Sequence, residues 1–489
     1  MAAHKKGAYL TVYASLVFGI VLSLIMALIE GATIGTARVQ SEMVADLGLD
    51  SVFAEYNREL LEQYDMFFID DSYCTANGGV GKIESHLSSY VNSNADPSID
   101  CNYPGHSNFL RLSNPYLEIE SVSFATDNKG EVWKAQAVDY MKATCGLALL
   151  DKLKNELKTV NDENMTTRDI FGEISSNIND FDDIVDEQEE IVETDKKTGD
   201  GFSYEDIIDV LDTIKGKGIL HLVTDTSKLS GGTTNRKEYV KYRQENGNVN
   251  KGAGLHDGVD SPDGFDDELF YNEYILKKFG FYNSEKDIGP LKYEVEYILY
   301  GRESDISNLR ESASKLLQVR MVSNFIYLNK DKVKKAEAEV VALAIASLLL
   351  IPEAEKVLQE IILGIWAYAE SVVDVRCLFD GGKVPLMKQS KDWTLGLSGI
   401  LNGVFKSTSK DTTKTTGLSY KDYLRIFLAL SNKDDRLLRS LDVVEMDIRQ
   451  TKGNENFRID QCVDYMKVNF GFQDKRGHEF VFTRIKCYE

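Results

Sequence analysis

Glu370 and Asp374 stand four residues apart in "WAYAESVVDVRCLFDGGKVPLMKQSKDW". On a helix that spacing projects both carboxylates from one face, where a pair can divide acid and base roles in hydrolysis or hold a divalent metal. Two such groups also repel each other and need compensation. Arg376, Lys383 and Lys388 lie close enough in sequence to supply it as the chain turns at Gly381 and Gly382. The favoured expectation is therefore a structural corner built from Trp366, Glu370, Asp374, Arg376, Gly381, Gly382, Lys383 and Lys388. The alternative is a membrane-tethered extracellular hydrolase, acting for example on wall polysaccharide, with Glu370 and Asp374 as its carboxylate pair.

Other constellations are weaker. His256 begins a loop with Asp257, Asp260, Asp263, Asp266 and Asp267; its oxygens could bind a cation, although solvated loop acids are the simpler reading. "ANGGVGKI" fails as a phosphate loop, because Ala76 and Ile83 occupy the positions that need glycine and a hydroxyl. The histidines are scattered, without HExxH or paired Cys/His spacing, and no GxSxG elbow occurs. In "GHEF", His478 and Glu479 fall on a strand and point to opposite faces. The expectation is a non-enzymatic chain without a cofactor or resident metal.

The elements that would carry these groups start with a membrane helix. From Ala8 to Ile29 no residue is charged, and that run spans about 33 Å, the hydrocarbon thickness of a bilayer. Lys5 and Lys6 precede it and Glu30 follows, so the amino terminus is expected in the cytoplasm and the bulk of the chain outside. The run is long for a signal peptide and lacks a small-residue cleavage site before the helix continues. With the two lysines set aside from a total of −22, the remainder carries −24. Such a field excludes nucleic acid as a partner.

Six cysteines in an exported chain allow a disulfide framework. Cys74 with Cys101, and Cys462 with Cys487, are the expected pairs, each worth about 3–4 kcal/mol in the chain-entropy model. Cys145 and Cys377 sit in helical patterns, where buried thiols serve as well as a bridge.

Within the apolar run, Ser15, Gly19, Ser23, Ala27, Gly31 and Gly35 place a small residue at every fourth position. In lipid, helices associate through close backbone approach, which such a row permits. It points to packing of the transmembrane helix with itself or with a partner helix.

The fold class expected is α+β: a transmembrane helix continuing into an amphipathic helix as far as residue 64, then a large mixed head with a helical bundle and short antiparallel sheets. Residues 1–7 form the cytoplasmic terminus and 8–29 the span. Residues 30–163 are expected to form the amphipathic continuation and first α+β unit, 164–268 an acidic arm and long loop, and 269–489 a helical bundle closed by a β hairpin. The arm holds nine acids and no base between Asp180 and Asp195, a solvated face. Residues 72–113, rich in Gly, Ser and Asn, are expected to be irregular. "YDMFFID", "YLEIESVSFAT" and "LKYEVEYILYG" are read as strands. Helices are expected at 303–329, 332–350, 353–380, 418–432 and 434–450.

An amino-terminal Lys-Lys-Gly, an apolar helix, its amphipathic continuation and an exported head resemble the pilin and pseudopilin plan. The chain is most similar to the TadE/TadG-like proteins of tight-adherence (Tad, or Flp) pilus systems. More closely, "KGAYLTVYASLVFGIVLSLIMALIEGATIGTARVQSEMVADLGLDSVFAEYNRELLEQYDMFF" and "WAYAESVVDVRCLFDGGKVPLMK" resemble a family of uncharacterised clostridial membrane proteins associated with such systems. The resemblance implies a single-pass surface protein whose partners are pilus or secretion-assembly proteins, and it assigns no catalytic residue. A prepilin cut after Gly7 would need Glu where this chain has Val12. The resemblance therefore implies a minor, tip or assembly component, not a shaft subunit.

Overall fold

The computed structural model describes residues 3–96, 111–144, 218–286, 288–397 and 416–488, with the single positions 203, 205 and 400. Two compact units make up the chain. The first comprises residues 1–136, 243–262 and 451–489, and the second residues 137–242 and 263–450.

In the first unit, helix α1 runs from Ala3 to Phe53 without a break. Its apolar segment has a mean hydropathy of 2.6 and none of it is buried; it is the one helix among the described residues long and apolar enough to cross a membrane. From Ala37 onward one side goes inward, with Val44, Ala45, Leu49, Val52 and Phe53 in the core. Gly31, Gly35 and Gly48 do not kink it. A Cβ on Gly48 would lie 2.7 Å from Val91 Cγ2, so this glycine lets α1 approach α3 (Val80–Ala95). The expected continuation to residue 64 is interrupted. Asn57 caps a separate helix, α2 (Arg58–Tyr64), accepting the amides of Glu59 and Leu60 on its side chain, and such a residue starts a helix better than it continues one.

The region expected to be irregular contains α3, whose Ile83, Leu87, Val91 and Ala95 are all buried. That fourfold apolar row outweighs the Gly/Ser/Asn composition. The sheet consists of β1 (Ile69–Asp70), β2 (Ser113–Phe124), β3 (Cys462–Gln473) and β4 (Glu479–Cys487). All pairings are antiparallel, and β3 joins the other three. Met466, Val468, Phe470 and Phe472 alternate along β3 and face the core shared with α1 and α3. Helix α4 (Glu131–Thr144) follows β2.

The expected disulfides are corrected. Cys74, Cys377, Cys462 and Cys487 are free thiols. In the β3–β4 register Cys487 sits opposite Tyr465, not Cys462, so the two sulfurs of the carboxyl-terminal pair are separated along the strands. Cys101 and Cys145 lie outside the described residues, as does the acidic arm.

The second unit is helical: α5 (Ile219–Val223), α6 (Val240–Glu245, which extends past the unit's edge at Tyr242), α7 (Phe265–Lys278), α8 (Glu294–Tyr300), α9 (Asp305–Lys330), α10 (Lys332–Leu348), α11 (Glu355–Phe379), α12 (Tyr420–Leu430) and α13 (Lys433–Arg449). The five helices expected from residue 303 onward are all present, while "LKYEVEYILYG" forms α8 and not a strand. Its alternating pattern is deceptive, because Glu294 and Glu296 are buried along with Val295, Tyr297 and Ile298. A short helix buried on all sides has no polar face from which the period could be read.

Candidate functional site

The carboxylate pair lies where α9 and α11 pack. Glu370 and Asp374 share one face of α11, and Arg320 and Asn324, also four apart, share the facing side of α9. The side chains of Arg320, Glu370, Asp374 and Lys388 are fully buried. Lys388 reaches both acids, pairing with Glu370 and with Asp374 Oδ1 at 2.7 Å. Arg320 Nε donates to Asp374 Oδ2 at 3.1 Å, and its Nη1 donates to the carbonyls of Pro385 and Leu386 at 2.8 and 2.7 Å. Asn324 Nδ2 donates to Asp374 Oδ2 at 3.1 Å and to Ser371 Oγ at 2.9 Å. The amides of Thr394 and Leu395 donate to the two oxygens of Glu370 at 2.9 and 2.8 Å.

Two acids thus meet two bases, and the remaining donors fix the 385–395 segment to the helices. Burial works against the Arg320 guanidinium, but Tyr423 and Asp374 beside it more than offset that and hold it above its ordinary value. An aromatic wall closes the assembly. Trp366 and Trp393 both donate from Nε1 to Leu395 O, at 3.0 and 2.7 Å. Lys334 Nζ sits 4.8 and 5.1 Å from their ring centres, within cation–π range.

Of the bases expected at this corner, Lys388 alone serves the pair. Arg376 turns away and donates to Leu222 O at 2.6 Å, with burial pulling its guanidinium below the ordinary value. Lys383 is exposed. Gly381, at φ +85°, and Gly382, whose amide returns to Cys377 O at 2.8 Å, end α11. Arg320 was not foreseen; it stands 54 residues before Asp374, and no local pattern joins them.

The aspartate loop is divided between the two units. Asp257 and Asp260 belong to the first unit, whereas Asp263, Asp266 and Asp267 belong to the second. His256 stacks on Tyr465 with ring centres 4.9 Å apart. Asp267 accepts the Gly264 amide at 3.2 Å at the start of α7 and pairs with Lys142 at 2.9 Å. Among the described residues no group of three or more His, Cys, Asp or Glu is placed to hold a metal ion.

Sequence reading also missed buried acids in the second unit. Glu296 accepts the Tyr420 hydroxyl at 2.6 Å and the Tyr282 amide at 3.0 Å, and burial pushes its carboxyl up to about 7. Asp442 accepts the Lys241 amide at 2.6 Å and the Tyr297 hydroxyl at 3.1 Å, and is likewise pushed by burial to about 7. Glu294 is raised by burial and by Asp447. In the first unit, Glu55 gathers the hydroxyls of Tyr73 and Tyr90 at 2.8 and 2.7 Å and His86 Nδ1 at 3.1 Å, tying α3 to the end of α1.

The small row on α1 is uncovered. A Cβ on Gly19, Gly31 or Gly35 would meet nothing within 4 Å, and Ser15, Ser23 and Ala27 are exposed. Further along the same fourfold row, Val39, Met43 and Leu47 are 59%, 59% and 49% exposed.

These features define a protein with one long apolar amino-terminal helix, suited to anchoring in a membrane, and a largely helical body with a small open sheet. The chain belongs to a family of unknown function, DUF5702, whose model matches residues 196–474. That stretch covers the buried network and ends just past β3, leaving α1 outside. The match carries no link to TadE/TadG-like proteins, so that identity and the pilus label that came with it are withdrawn as descriptions of the chain. No curated protein and no solved structure matches it.

Proposed function

We propose that the protein is a single-pass, membrane-anchored structural or interaction protein, with its amino terminus in the cytoplasm and its body on the outer side, where it serves a cell-surface assembly or attachment system. The observation that carries this reading is α1: one uninterrupted helix whose first half is wholly uncovered and whose second half is built into the core of the first unit. An anchor of this construction transmits position from the bilayer to the body without a flexible joint.

The uncovered row supplies the contact. Small residues from Ser15 to Gly35 suit close helix packing in lipid, and Val39, Met43 and Leu47 continue as apolar side chains in the aqueous zone, where burial by a neighbouring helix is favourable. Successive members of the row rotate by about 40°, so a neighbour engages three or four of them at one crossing. The neighbour is a second copy of α1 or the helix of an assembly partner.

The hydrolase alternative gains nothing from Glu370 and Asp374, since both carboxylates are sealed from solvent and each is ion-paired with a buried base. A catalytic pair must reach its substrate.

The test is chemical cross-linking in native membranes. Gly19→Ile combined with Gly31→Ile should abolish the cross-linked species and the co-purification of partner proteins, and Met43→Glu should weaken both severalfold. If all three substitutions leave cross-linking and co-purification unchanged, helix packing is not what the anchor does.

A further inference from the structure

We propose that the turn joining β3 to β4, residues 474–478, is a contact for anionic phospholipid: a cationic tip resting on lipid phosphates beside the membrane end of α1. This rests on the anchored reading above and adds a second attachment point to it.

Three observations meet at the turn. The first is its height. The charge-free run of α1 ends at Ile29, Glu30 is the next residue, and Arg476 Nη1 pairs with Glu30 Oε1 at 3.1 Å. In a bilayer the polar headgroup layer begins where the hydrocarbon ends and extends about 5–7 Å, roughly four residues of helix. A side chain held at the level of Glu30 is therefore held among phosphates.

The second is the direction in which the turn's charges face. Asp474 is its acidic residue and is buried. Its carboxylate accepts the amides of Arg476 and His478 at 2.8 and 2.9 Å and meets His478 Nδ1 at 2.8 Å. Gly477, at φ +87°, donates its amide to Asp474 O at 3.0 Å. The turn is thus fixed from inside by its acid, and it presents Lys475 and Arg476 to the exterior, with Glu479 exposed where β4 begins.

The third is what those bases lack. The Arg476–Glu30 pair is half exposed on both sides, a kind of pair that contributes little by itself and leaves the guanidinium fork open to a bidentate phosphate. Lys475 makes no ion pair with any described residue. The chain as a whole carries −22 and is repelled by an anionic surface. Lys475 and Arg476 nevertheless offer lipid phosphates two donors beside the anchor, against the exposed acids Glu30 and Glu479, and phosphate contacts there limit how far the first unit can tilt.

The experiment uses the full chain in lipid nanodiscs, with hydrogen exchange followed by mass spectrometry. In phosphatidylglycerol discs the peptide covering 474–478 should exchange more slowly than in phosphatidylcholine discs, by roughly threefold or more. The double variant Lys475→Glu with Arg476→Glu should erase that difference while exchange in the core of β3, at Val468 and Phe470, stays unchanged and certifies the fold. Equal exchange in the two lipids overturns the inference, and so does protection that survives the double variant, which would signal a protein contact. Protection by inorganic phosphate in detergent micelles, equal to that in phosphatidylglycerol, overturns the assignment to lipid. A chain that fails to enter discs removes the anchored reading itself, an outcome distinct from incorporation without lipid dependence.

Discussion

Lys388→Met isolates the energetics of the buried network. The ammonium lies 2.7 Å from Asp374 Oδ1 and also pairs with Glu370, with every side chain involved sealed from solvent. At an effective dielectric of about 20, unit charges at that separation attract by about 6 kcal/mol. Part of this is offset by the cost of burying the ammonium, so the net loss expected from its removal is about 3–5 kcal/mol, the range for orphaning a buried charge. Methionine keeps most of the volume, which separates the charge effect from a cavity. After the substitution Arg320 still neutralises Asp374, while Glu370 loses its ammonium partner and keeps the amides of Thr394 and Leu395. Adding Glu370→Gln should then restore about 1–3 kcal/mol, a coupling typical of directly interacting groups. Urea unfolding of the detergent-solubilised protein, followed by tryptophan emission, reads this directly, because Trp366 and Trp393, two of the chain's three tryptophans, flank the site. A loss below about 1 kcal/mol, or a double variant weaker than the single one, would refute the view that charge balance holds this corner together.

Glu296 and Asp442, pushed up to about 7 by burial, make stability depend on pH. A carboxyl whose native value exceeds its unfolded value holds more protons when folded, so its contribution falls as pH rises from about 4 to 7 and then levels off. Glu296→Gln should flatten that fall by up to about 3 kcal/mol, seen as a smaller difference between urea midpoints at pH 5 and pH 7.5. The free thiols give a covalent check. Alkylation of the unfolded chain without reductant should modify Cys74, Cys377, Cys462 and Cys487, and a surviving Cys462–Cys487 bridge would contradict the strand register.

Local pattern carried much of the architecture. The charge-free run predicts α1, and the fourfold apolar rows predict α9, α11 and α13, because helix formation is decided by neighbours three and four residues away. Period-two alternation likewise marks β2, β3 and β4. Where composition and period disagree, period governs: α3 lies in a Gly/Ser/Asn-rich stretch, and its Ile83, Leu87 and Val91 keep helical spacing. Where the polar residues of a segment are buried, period itself misleads, and α8 passed for a strand because Glu294 and Glu296 find partners inside.

The sequence by itself determined the membrane-length helix, the small row upon it, the acidity of the rest and the need of Glu370 and Asp374 for compensation, since each is a property of residues adjacent along the chain. Only the tertiary structure decided who compensates them. Arg320 comes from another helix, Lys388 is chosen over Arg376 and Lys383, and Arg476 is brought to Glu30 from the far end of the chain. Ion pairs form between groups that packing places within a few ångströms, and that placement is set by the burial of entire helix and sheet faces, not by the spacing of the charges themselves.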